Sequence, residues 1–223
     1  MTKRKNVDDV TSNIPGSEGQ SRKYGMSTLA VHAGARPDPV TGARGTPIYQ
    51  TTSFVFDDAE HGAELFNLQT FGYVYSRMTN PTVSVFEERV AQLEGGRGAV
   101  ATSSGHAAQF IAAATLMEAG DEFIASRNLY GGSVTQFGVS FPKLGWKCNF
   151  VDPTDPENFE KAMNDKVKFI FCEGVANPGG IILDLEKIAD IAHKHGVLLI
   201  VDNTLASPYL LRPFEWGADL VVH

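Results

Sequence analysis

The chain has 223 residues, enough for one large domain or two small ones. Hydrophobic residues make up 43% and charged residues 20%, the proportions of a globular protein with a substantial core. A net charge of -7 without a basic stripe argues against nucleic-acid binding, and no apolar run reaches the length of a membrane span. The basic cluster Lys3-Arg4-Lys5 is followed closely by Asp8 and Asp9 and reads as a solvated tail. The first residues lack the apolar core of a secretory signal. Cys148 and Cys172 sit inside the apolar runs WKCNF and KFIFCEG, which predicts buried free thiols and a reducing, cytoplasmic setting.

Residues 1–25 are polar and rich in Ser, Gly, Asn and charge, the composition of a disordered leader. From Ser27 to about Thr79 the pattern is irregular and crowded with turn signals. One helix is expected there, Asp57 to Leu68, with Asp57 as its cap. Asn80-Pro81 then starts a helix that runs through SVFEERVAQLEG and stops near Gly95-Gly96. A short strand, GAVATS, follows, and Gly105 opens a helix, HAAQFIAAATLMEAG. The remaining elements are strand EFIAS, a helix from about Gly132, strand KCNFV, a helix from Pro156 to Asn164 and strand KFIFCE. A helix from Asp184 to His195, strand VLLIVDN and a terminal run DLVVH close the series. The strands are continuous apolar runs, as in strands buried on both faces. The expected fold is therefore α/β, a mostly parallel sheet flanked by helices.

Ligands of such sheets bind beyond the carboxyl ends of the strands. After GAVAT come Ser103-Ser104-Gly105-His106 and a helix start, where backbone amides can cradle a phosphate; a plain tight turn reads equally well. The GxGxxG and Gly-Lys-Ser/Thr spacings of nucleotide loops are missing. After EFIAS comes Tyr130 before two glycines, able to stack on a flat ring or to be an ordinary loop aromatic. Glu173 and Asn177-Pro178-Gly179-Gly180 follow the next strand, as a ligand edge or a turn. Asp202-Asn203-Thr204 closes VLLIV, and a carboxylate there needs a partner. A metal would want further carboxylate or histidine ligands, so none is expected; a protonated ring nitrogen wants one well-placed Asp. Tyr75 and Arg77 share one face of an extended segment and suit a phosphate dianion, or a surface salt bridge. Together these features meet the demands of pyridoxal phosphate, whose ring must be cationic to draw electrons.

The segments YSRMTNPT (75–82), SSGHAAQ (103–109), LYGGS (129–133), CEGVANPGG (172–180) and VDNTLASP (201–208) carry a family likeness. In this order they resemble the Cys/Met-metabolism pyridoxal-phosphate enzymes, of the fold-type I, aminotransferase-like class. VHAGARPDPVTGARGTPIYQTTSFVFDD and AELFNLQ look most like the O-acetylhomoserine sulfhydrylase branch. The resemblance implies a segment, 26–79, that contributes to a neighbouring subunit's site, and a large cofactor-binding domain, 80–223, incomplete at its C-terminal end. In the family, Val-Val-His is followed by Ser-x-Thr-Lys, whose lysine forms the Schiff base. The chain is thus expected to be part of a longer enzyme with a further C-terminal domain.

The resemblance also implies roles. Tyr75 and Arg77 would reach the cofactor phosphate of a neighbouring subunit, in a tetramer of two catalytic dimers. Ser104 and the amides of Gly105 and His106 would hold the phosphate in their own subunit. Tyr130 would stack on the ring and assist proton transfer, and Asp202 would pair with the ring nitrogen. Asn177 would face the cofactor hydroxyl or the substrate carboxylate, with Glu173 and Thr204 in support. His106 stands where the family has Met or Gln, and Gly174 where it often has Ser. The implied reaction is replacement of acetate on O-acetylhomoserine by sulfide or a thiol, giving homocysteine. Cystathionine γ-synthase, methionine γ-lyase and O-succinylhomoserine sulfhydrylase share nearly all the motifs. A non-catalytic fragment lacking the lysine is the alternative from another class.

Overall fold

The computed structural model describes residues 24–223, so the expected leader lies almost wholly outside the described residues. The chain divides into two compact units with their boundary between Ala101 and Thr102.

Among its described residues the first unit carries three helices: α1 (Met26–His32), α2 (Ala59–Phe66) and α3 (Pro81–Glu94). The reading of 27–79 as irregular missed α1, which is too short to show a period; it buries Leu29 and packs on α3. Arg89 Nε reinforces that packing by donating to Ala33 O at 2.9 Å. The cap of α2 is Asp58, not Asp57: its carboxylate accepts from His61 N at 2.8 Å. Asp57 instead faces the His61 ring, 3.4 Å from Nδ1. α3 begins as predicted. Asn80 Oδ1 accepts from Thr82 N, Pro81 takes the first helical position, and Gly95 ends the helix at φ 78°, a conformation that favours glycine. Before α3, Tyr75 pairs with Ser53 in an antiparallel bridge, but the chain then turns over 76–78, where Met78 N and Thr79 N both donate to Tyr75 O. Arg77 therefore lies in a turn and not in the extended segment expected for it and Tyr75.

The second unit holds a sheet of five parallel strands: β1 (Glu122–Ser126), β2 (Lys147–Val151), β3 (Val167–Glu173), β4 (Leu198–Asp202) and β5 (Leu220–Val222). Their order is β2-β1-β3-β4-β5. Helices α4 (Gly105–Leu116), α5 (Gly131–Thr135), α6 (Glu157–Lys161), α7 (Leu185–Lys194) and α8 (Ser207–Leu210) lie between or before the strands. The helix expected from Gly132 is present, but widens into a π turn over 136–140 and tightens into a 3-10 turn over 141–144. Residues 98–103, expected as a strand, belong to no ladder; an apolar run becomes a strand only when a neighbour accepts its backbone bonds.

The unbroken apolar strands serve two cores at once. On β3, Phe169 and Phe171 enter one cluster with Phe123, Phe137, Phe141 and Ile200, while Ile170 and Cys172 enter another with Phe159, Ile188 and Leu199. Alternate residues point to opposite faces, so both faces are covered. Both cysteines are free thiols, and burial pushes them well above the usual thiol range. Among the described residues, no helix is long and apolar enough to cross a membrane.

Candidate active site

From β1 the chain passes to β2 on one side, then crosses back to lay β3 on the other side of β1. Where strand order reverses in this way, the loops leaving the carboxyl ends diverge and open a crevice. The two loops concerned follow Ser126 and Glu173. Glu173 ties them together: Oε1 accepts from Tyr130 N at 2.6 Å and Oε2 from Asn177 N at 2.7 Å. The carboxylate is 4% exposed. Burial pushes its pKa up, the two amides pull it back, and the Asp202 charge pushes it up further.

Asp202 lies beside Glu173 in the β3–β4 register. Its Oδ1 accepts from Thr204 N at 2.9 Å and its Oδ2 from Gln109 Nε2 at 3.1 Å. Each oxygen takes one N–H and keeps further lone-pair capacity for a third donor. Such an arrangement fixes the plane of the carboxylate while leaving it able to pair with a cation.

Helix α4 starts at the same sheet edge. Ser104 Oγ caps it by accepting from Ala107 N at 3.1 Å, and Ser104 O accepts from Ala108 N. The amides of Gly105 and His106 are the two first-turn donors that this cap does not use, and they carry the positive end of the helix dipole. Gly105 has no room for a side chain: an added Cβ would stand 2.8 Å from His223 O, beside β5. The His106 ring stacks on Tyr130, with centroids 5.9 Å apart and planes 30° apart. Gly132 lies against both rings, and Gln136 Nε2 donates to His106 O at 3.0 Å. A shallow depression lined by His106, Gly131, Gly132, Thr135, Gln136 and Ser140 runs alongside.

The structure therefore brings Ser104, Gly105, His106, Tyr130, Asn177, Asp202 and Thr204 to one end of one sheet. Tyr75 and Arg77 belong to the first unit, where the Arg77 guanidinium lies 5.3 Å from the Tyr75 ring centroid. Among the described residues, no group of three or more His, Cys, Asp or Glu is placed to hold a metal. The donor set instead suits a ligand with an anion at one end and a cationic nitrogen in a flat ring. Helix-start amides meet the first need, a constrained carboxylate the second, and a half-exposed tyrosine offers a stacking face. Pyridoxal phosphate has that chemistry.

The family model for Cys/Met metabolism PLP-dependent enzymes matches residues 27–223. The chain belongs to that family. Similar proteins include an O-acetyl-L-homoserine sulfhydrylase of Leptospira meyeri, 49% identical over 94% of this chain and 47% of that protein. A homocysteine synthase of Schizosaccharomyces pombe is 48% identical over 89% of this chain and 46% of its own length. The structure of an O-acetylhomoserine (thiol)-lyase candidate from Campylobacter jejuni superposes with a TM-score of 0.87 at 38% identity. It covers 90% of this chain and 49% of its own, and carries N'-pyridoxyl-lysine-5'-monophosphate. The chain thus spans about half the length of the curated relatives it matches. Pyridoxal phosphate is the family's cofactor, and the expected α/β fold of that class is the one observed.

Two residues at the site escaped the sequence reading although both lie inside the quoted motifs. Gln109 is buried one turn into α4, and its Nε2 reaches Ser133 Oγ at 3.0 Å as well as Asp202. The available signal was a lone glutamine among alanines on the stripe that Ala113 continues, the face turned to the core.

Proposed function

We propose that the parent enzyme catalyses γ-replacement on O-acetylhomoserine with sulfide or a thiol, releasing acetate and homocysteine. The observation that carries this reading is Asp202, held by two N–H donors at the sheet edge where α4 begins. A relative named for this substrate, 49% identical over 94% of this chain, and one named for homocysteine synthesis support the choice of amino acid.

When bound, pyridoxal phosphate supplies a sink for the electrons of the substrate's α carbon. The amides of Gly105 and His106 hold its phosphate, with Ser104 fixing the helix start. Asp202 keeps the ring nitrogen protonated, and Thr204 holds Asp202 by a backbone N–H. Tyr130 stacks on the ring and moves a proton near the reacting carbons. Asn177 faces the ring hydroxyl or the substrate carboxylate, and Glu173 sets the spacing between Asn177 and Tyr130. Tyr75 and Arg77, in the segment 26–79, serve the phosphate of a neighbouring subunit, so that the site is complete in a dimer and two dimers form a tetramer. Residues 80–223 form the large cofactor domain. Two free thiols, Cys172 buried and Cys148 partly so, agree with work in a reducing cytoplasm.

The test is a product assay on the holoenzyme with sulfide and either O-acetylhomoserine or O-succinylhomoserine. Homocysteine formed preferentially from the acetyl ester supports the proposal. Preference for the succinyl ester, or release of ammonia without sulfide incorporation, overturns it.

A further inference from the structure

Asp202 does not stand alone. Its Oδ2 accepts from Gln109 Nε2, and that same nitrogen donates to Ser133 Oγ at 3.0 Å. A carboxylate can only accept, so the amide's nitrogen must face Asp202, and its two hydrogens are matched by these two oxygens. Gln109 and Ser133 are 5% and 1% exposed. The other amide atom, Gln109 Oε1, is buried with no hydrogen-bond partner among the described residues. A glutamine retained for packing would bring an unmet acceptor into the core for no return, where leucine or methionine would fill the space. Its two donors are what the position uses.

We propose that Gln109 is a positioning residue for Asp202, itself oriented by Ser133. The inference rests on the reading of Asp202 as partner of the ring nitrogen. The geometry makes one helix responsible for both ends of the cofactor. The first turn of α4 offers amides to the phosphate, and Gln109, four residues after Gly105, aligns the carboxylate meant for the opposite side of the ring. A change at Gln109 therefore alters the carboxylate of Asp202 while sparing the helix-start amides of Gly105 and His106.

The test is 15N NMR of holoenzyme reconstituted with pyridoxal phosphate labelled at the ring nitrogen, with kcat and KM measured on the same samples. Gln109→Leu, of similar volume, is expected to move the nitrogen resonance towards its deprotonated position. It should lower kcat by about 10- to 100-fold, the scale on which outer-shell partners act, with KM nearly unchanged. Ser133→Ala should shift both readouts in the same direction by less, and decides the matter if Gln109→Leu does not fold. Wild-type resonance and kcat in these variants, with both altered in Asp202→Asn, would overturn the role of Gln109 alone. A protonated ring nitrogen in Asp202→Asn would overturn the Asp202 reading and this inference with it.

Discussion

Replacing Gly105 by alanine tests whether the start of α4 is set by a steric fit. The new Cβ would lie 2.8 Å from His223 O and 3.2 Å from His223 C, against ordinary contact from 3.4 Å outward. Both opposing atoms are backbone, so no side-chain rotation relieves the overlap. The helix start must back away from β5 by about 0.6 Å, the gap between 2.8 and 3.4 Å. Overpacking of this kind costs about 1–3 kcal/mol. At roughly 2–4 °C per kcal/mol for a chain of this size, Tm should fall by about 2–12 °C. The same displacement draws the Gly105 and His106 amides out of line with a bound phosphate. Loss of one charge-assisted hydrogen bond, about 1.5–3 kcal/mol, corresponds to roughly 10- to 150-fold weaker binding. Fluorescence titration of the apoenzyme with pyridoxal phosphate reads that change directly, and a thermal melt reads the first. Gly98→Ala, where an added Cβ meets nothing within 4 Å, is the control and should leave both near wild type. Cofactor affinity and Tm unchanged in Gly105→Ala would refute the steric argument.

Asn80→Ala removes the α3 cap and also two bonds from Nδ2, to Tyr49 O and Ser76 Oγ, each 3.0 Å. Urea denaturation should show a loss of about 1–3 kcal/mol, the cap plus the partly buried bonds of Nδ2; a loss within error of zero would contradict this. Bonds from Asn149, Asn164 and Lys147 draw the Glu122 carboxyl down to about 2. A depressed folded value contributes stability above the unfolded value of 4.5, and that contribution disappears as pH falls towards 2. The Tm gap between wild type and Glu122→Gln should accordingly be open at pH 5 and closed near pH 2; a gap independent of pH counts against the assignment. Glu173 behaves oppositely: burial raises its folded value above 4.5, so ionisation costs stability as pH rises through that window. Stability of wild type relative to Glu173→Gln should decline with rising pH, and an increase would mean that the two amides outweigh burial. Cys172 is fully buried with its thiol pushed up, so iodoacetamide should leave it unmodified in native buffer and label it on unfolding.

Much of the architecture was legible because it is written in local signals. Asn80-Pro81 and Gly95 bound α3 by backbone chemistry that needs no tertiary partner. The apolar runs EFIAS, KFIFC and VLLIV announce strands covered on both sides, since a strand with one wet face would alternate. Asp202 was legible as a site candidate because a carboxylate closing an apolar strand needs a partner, whereas Tyr130 and Gly105 read equally as a loop aromatic and a tight turn until the family likeness gave them roles.

Other features depended on neighbours in space. The run 98–103 has the composition of a strand but no ladder, because strand formation is decided by whatever accepts its hydrogen bonds. The cap passed from Asp57 to Asp58 because the geometry of the first turn, not composition, selects which carboxylate reaches the His61 amide. Gln109 and Asp202 are 93 residues apart in the chain and share a hydrogen bond, and Tyr130 and Asn177 share the Glu173 carboxylate. No periodicity or spacing encodes such pairs. By itself the sequence determined the layered α/β fold and which residues end its strands, since those follow from local backbone preferences and burial. Only the tertiary structure decided which of those residues hold one another, because side-chain hydrogen bonds across a sheet depend on strand order and register.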